Sequence, residues 1–169
     1  MAPRLRFPLI DGFEFAAAGA SQEGAWPVGE FPRLRELLYD DSGTVRYELR
    51  GAIDAHGRHS LTLRLSGALR LRCRRCLEAV EVPVREQAVL WLARSQAEID
   101  AQPVAAEGDD GVVASREMAV RDLVEDELLL ALPYAPRHEN CSAQAGAAPE
   151  GRQRPFEGLR GMLRGKQRH

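Results

Sequence analysis

The sequence predicts an α+β fold: an antiparallel β-sheet packed against a helix in the C-terminal half, followed by a flexible basic C-terminal tail. Three observations predict it. Apolar residues recur with period two between Val45 and Ala93, the pattern of half-buried strands. Val120, Leu123, Val124 and Leu128 then recur with helical spacing up to the stop at Pro133. Beyond Cys141 the chain turns rich in Ala, Gly and Pro before becoming basic. Its 169 residues fit one core with an appendage. Residues 1–141 are taken as a single domain and 142–169 as a linker and amphipathic tail.

In chain order, residues 8–29 are rich in Gly, Ala and Pro and read as irregular structure around Phe13, Phe15 and Trp26. Residues 31–40 suit a short helix, with Pro32 in its first turn and Leu34, Leu37 and Leu38 on one face. Val45, Tyr47 and Leu49 give a first alternating strand; Leu61, Leu63 and Leu65 a second; Leu69, Leu71 and Cys73 a third; Val80, Val82 and Val84 a fourth. Pro83 in the last implies an edge or a bulge. Ala88 to Ala93 adds a more apolar run, for four to five strands in all. Ser66-Gly67-Ala68 reads as a hairpin turn, pairing Leu65 with Leu69 and setting Arg64 opposite Arg70, an unfavourable match of like charges. Residues 94–114 are acidic, aperiodic and rich in small residues, as in a mobile loop. Ser115 can cap a helix running to about Leu132. Pro155 opens a basic segment with Phe156, Leu159 and Leu163 on one face.

The formal net charge of −2 conceals a segregation. Residues 58–76 carry six Arg and no acid, net +6; residues 77–136 are net −9; residues 151–169 are net +5. All basic residues but Lys166 are Arg, the better fork for phosphate. Near-neutrality speaks against a wholly basic nucleic-acid glove, and 44% hydrophobic content against a disordered acidic chain. No run approaches ~18 apolar residues, so no membrane span is expected. The N-terminus lacks the apolar core of a signal peptide, and three Cys make an odd number. Both point to the cytoplasm.

Cys73-x-x-Cys76 and His138-x-x-Cys141 are two chelating pairs separated by 61 residues. Four such donors match a closed tetrahedral zinc site, which is structural because no position is left open for chemistry. Two alternatives stand beside it. The thiols can be small buried hydrophobes without metal. A redox Cys-x-x-Cys is the third, though it would sit at the start of a helix after a strand, and here strands lie on both sides. Gly161-x-x-x-Gly165-Lys166 is one residue short of a phosphate-binding loop and lacks its Ser or Thr. Glu127 falls beside the apolar stripe of the helix, where a buried Arg partner is expected, whereas Asp122, Glu125 and Asp126 read as a solvated face.

Taken together, Cys73-Arg-Arg-Cys76-Leu77, the acidic stretch after it, Leu123-Val-Glu125-Asp126-Glu127-Leu128-Leu-Leu-Ala-Leu-Pro133, Pro136-Arg-His138-Glu-Asn-Cys141 and Pro155-Phe156-x-x-Leu159 resemble the YceD family of large ribosomal RNA subunit accumulation proteins. The similarity runs from about Arg58 to the C-terminus. It implies a non-enzymatic factor for the synthesis, processing or stability of large-subunit (23S) ribosomal RNA. No catalytic residue is carried over from it, and the zinc expectation rests on spacing in this chain.

The expected partner is large-subunit rRNA or a pre-ribosomal particle. Arg64, Arg70 and Arg72 on the outer sheet face, with Arg74 and Arg75, would contact phosphate, helped by Arg152, Arg154, Arg160, Arg164 and Lys166 of the tail. Few aromatics interleave with these Arg, so base stacking is not expected. The alternative is a protein–protein adaptor whose acidic region binds a large-subunit ribosomal protein.

Overall fold

A computed structural model describes residues 7–102 and 109–141. Its elements are β1 (Leu9–Ile10), α1 (Gly12–Ala17), β2 (Ser21–Pro27), α2 (Pro32–Arg35), β3 (Thr44–Ile53), β4 (His59–Arg72), β5 (Ala79–Ala93), α3 (Gln96–Asp100), β6 (Asp109–Val113), β7 (Met118–Ala119) and α4 (Val120–Ala131). The fold is α+β. A five-stranded sheet has the order β2-β3-β4-β5-β6, and β1 pairs with β7 in a separate ladder. All neighbours are antiparallel except β5 and β6, which run parallel.

β4 carries the architecture. Its odd-numbered residues Leu61, Leu63, Leu65, Leu69 and Leu71 are buried, and Arg64 and Arg72 point to solvent. Each buried Leu contributes about 1.5–3 kcal/mol. The hairpin expected at Ser66-Gly67-Ala68 does not form. Gly67 lies within one continuous strand, opposite Val45 on one side and Val84 on the other. A Cβ there would lie 2.7 Å from the Thr44 carbonyl oxygen, so the glycine serves close strand approach rather than a turn. The apolar period runs through it in phase, which suits one straight strand as well as a hairpin with an odd loop. Arg64 therefore faces Glu48 and Gln87, and Arg70 faces Glu81; the predicted arginine clash is absent.

Other expectations are also corrected. Residues 8–29 are not irregular: they hold β1, α1 and the edge strand β2, in which Trp26 alone is buried, too sparse a pattern for periodicity to find. Residues 94–114 contain α3, capped by Ser95, and β6, whose parallel pairing to β5 leaves no alternation to read. The last helix starts at Val120, because Met118 and Ala119 pair with β1. Ser115 instead accepts the Glu117 N–H in a turn. β6 covers only Val89–Ala93, so among the described residues Pro83 lies beside an unpaired edge of β5.

α1 packs on β3 and β4, α4 packs on β4 and β5, and α2 packs against α4. Pro32 opens α2, and Leu34 is buried beneath it. Val120, Leu123, Val124 and Leu128 bury one face of α4 as expected. The buried carboxylate of this helix is Glu125, not Glu127. At 1% exposure, one of its oxygens accepts the Arg33 and Leu34 N–H groups at 2.6 and 3.1 Å, and the other meets Arg33 Nε at 3.0 Å. It thus anchors the start of α2, while Asp126 takes Arg33 Nη1 at 2.6 Å. The predicted Arg partner exists two positions earlier, because α2 packs on that side of the stripe.

Candidate metal centre

β4 and β5 are joined by residues 73–78, so the first cysteine pair is a hairpin loop. The Arg72–Ala79 pair and a Cys73 N–H bond to the Glu78 carbonyl close it. Inside, Leu77 N–H returns to the Cys73 carbonyl, Arg75 N–H points at Cys73 Sγ from 3.4 Å, and Leu77 takes φ 66°. That left-handed value is unusual for leucine. It turns the chain sharply after Cys76 and leaves the Leu77 side chain exposed.

The second pair arrives from the end of α4. Pro133 stops the helix, and the Pro136 carbonyl accepts the Arg74 N–H at 2.9 Å. Cys73 Sγ then lies 3.7 Å from Cys141 Sγ, and Cys76 Sγ lies 3.5 Å from His138 Nδ1. All four donor atoms fall within 4.8 Å of one another. A metal–sulfur bond of about 2.3 Å in tetrahedral geometry separates two sulfurs by about 3.8 Å, so these spacings suit one zinc ion. His138 Nε2 donates to the Ala79 carbonyl at 2.8 Å, so in the neutral imidazole Nδ1 is the lone-pair nitrogen, and it is the one that faces Cys76.

The electrostatics agree with the donor set. The Cys76 backbone N–H, against burial and with help from those of Arg75 and His138, holds the Cys73 thiol down to about 5. Burial, followed by the Cys76 and Cys73 sulfurs, pushes Cys141 up to about 11. The Ala79 carbonyl, then Cys73, raises His138. Packed sulfurs that compete for protons in this way are relieved by a shared divalent cation. Such a centre is closed, with four protein donors. The redox alternative loses its structural basis, because the Cys-x-x-Cys sits in a hairpin and not at a helix N-terminus.

The predicted arginines divide into three groups. Arg64 pairs with Glu48 and bonds to Gln87. Arg70 pairs with Asp40 and stacks on Tyr39 at 5.7 Å. Arg72, Arg74 and Arg75 surround the cysteine hairpin, are exposed and form no ion pair among the described residues; Arg72 lies 5.5 Å over the Tyr39 ring. Arg152, Arg154, Arg160, Arg164 and Lys166 lie outside the described residues, as does the whole expected tail. Tyr39 and Tyr134 escaped the sequence reading. They are far from the Arg cluster in sequence, and only the fold brings Tyr39 beside it.

A family model for the large ribosomal RNA subunit accumulation protein YceD matches residues 61–160. No curated protein and no solved structure matches the chain. The matched stretch begins within β4 and takes in the cysteine hairpin, α4 and the Pro133–Cys141 connection. Its conspicuous positions have structural work in this chain: Leu123 and Leu128 fill the core, Glu125 anchors α2, and Pro136 docks on Arg74. With more than half of its length matched, the chain belongs to the YceD family of large ribosomal RNA subunit accumulation proteins.

Proposed function

We propose that the protein is a non-enzymatic, cytoplasmic ribosome-biogenesis factor. It supports the synthesis, processing or stability of 23S rRNA by binding that RNA or a pre-ribosomal particle. The observation that carries this reading is the family match over residues 61–160. The geometry supports it by leaving Arg72, Arg74 and Arg75 exposed together with no ion pair among the described residues, while Arg64 shares Glu48 with Arg50 and Arg70 pairs with Asp40. Phosphate contact is therefore assigned to the hairpin end of β4, with the basic residues of 152–166 as a second source of charge. One structural zinc ion, held by Cys73, Cys76, His138 and Cys141, fixes that hairpin.

The test is crosslinking of the protein to nucleic acid in cells, followed by sequencing. Recovery of 23S rRNA is expected, with loss of the signal in an Arg74→Glu/Arg75→Glu variant. Recovery of no ribosomal RNA overturns direct binding. One observation favours the adaptor alternative: Glu127 is held above its ordinary value by burial and by Asp110, Asp126 and Glu86, an acidic patch where α4 crosses the sheet. Such a patch suits a basic ribosomal protein. Co-purification of that protein after nuclease treatment, without RNA crosslinks, would decide for the adaptor.

A further inference from the structure

A groove of about 570 Å³ opens beside the metal hairpin, between the end of β4, residues 36–38 and residues 129–136. Leu38, Leu71, Leu129 and Leu132 supply its apolar lining. Arg72, Arg74 and Tyr134 also line it, Tyr134 being 100% exposed. Arg72 also lies over the Tyr39 ring, so the fold brings cationic and aromatic groups together at this end of β4 although they are scattered in the sequence. The expectation that base stacking is excluded came from linear neighbours, and the fold removes its premise.

We propose that this groove binds single-stranded RNA, with unpaired bases lying on the apolar lining against Tyr134 and the flanking phosphates on Arg72 and Arg74. Exposed aromatics beside Arg forks are what unpaired nucleotides require. Duplex RNA offers no free base faces, and its major groove is too deep and narrow for side chains to read. Charge selects this occupant over two others. The chain's own 151–169 segment is net +5 and would set cation against cation, as would a basic ribosomal protein. Glu36 is the one acid among the lining residues. The proposal rests on the RNA-binding reading above and narrows it to unpaired segments.

The experiment is fluorescence anisotropy with the full-length protein, a labelled single-stranded RNA 12-mer and its blunt duplex, over a series of salt concentrations. The single strand is expected to bind at least about tenfold more tightly than the duplex. Tyr134→Ala should weaken single-strand binding about 5- to 150-fold without changing the salt slope, and Tyr134→Phe should restore it. Arg72→Ala/Arg74→Ala should lower the log–log salt slope by about 1.4. Circular dichroism checks that each variant is folded. Equal affinity for the duplex, or an unaffected Tyr134→Ala variant, overturns the groove proposal and leaves RNA binding by the protein intact. Failure of the parent protein to bind either RNA overturns both. Displacement of the RNA by an acidic amphipathic peptide that binds equally well with Tyr134→Ala would make the groove a protein site and overturn the proposal.

Discussion

Glu125 and Glu127 stand two positions apart on α4 and meet opposite surroundings. Glu125 is buried against two backbone N–H groups and a guanidinium, so its charge is fully matched. Glu127 is half-buried, and its carboxyl is raised first by burial and then by Asp110, Asp126 and Glu86. The folded chain therefore holds the Glu127 proton more tightly than the unfolded chain. Below the ordinary value of 4.5 both states keep that proton, and the stabilising contribution is fully present. It is lost as pH rises through the higher folded value. Glu127→Gln is accordingly expected to raise the urea midpoint at pH 7 and to leave it unchanged near pH 3.5. An equal gain at both pH values would assign the effect to packing. The position of Glu127 beside the apolar stripe was legible from helical spacing. That no Arg pairs with it among the described residues was not, because only the placement of α2 decides which flank of the stripe that helix covers.

Among the elements, α2 is the most dependent on a partner. Its four residues are too few to be stable alone, and its first N–H groups end on Glu125. Glu125→Ala leaves those donors buried without an acceptor and is expected to cost about 2–3 kcal/mol in urea denaturation. Arg33→Ala removes a half-exposed ion pair and is expected to cost less than about 1 kcal/mol. Equal costs would show that the ion pair, rather than the backbone clamp, holds α2. The strands differed in how openly they could be read. β3, the two halves of β4 and the first half of β5 were visible from alternation, and the second half of β5 from its continuous apolar run, which is buried from Leu90 to Ala93. Their fusion into strands of 14 and 15 residues was not, because a glycine and a charge step inside a strand look like a turn. β2 and β6 lie at the sheet edges, where few side chains are buried and sequence alternation fades.

For the molecule as a whole, the four candidate metal donors were legible from spacing alone, as two Cys/His pairs each three positions apart. Their meeting depends on the fold between them. At free zinc a hundredfold above its dissociation constant, the ion would stabilise the folded chain by about 2.7 kcal/mol. For a chain of this size that corresponds to a thermal midpoint about 5–10 °C lower after chelation. Cys141→Ser should abolish the response to both zinc and chelator, and a parent protein whose midpoint ignores both would refute the metal centre. Cys73 and Cys141 lie 68 positions apart, and this separation has a consequence in time. β3, β4 and β5 are joined by short turns and can zip together from local contacts. Closing the long loop to Cys141 is entropically costly until α4 has docked and shortened the gap. Metal uptake during refolding should therefore lag behind sheet formation, which makes the ion a lock turned at the last step rather than a seed around which the chain collapses.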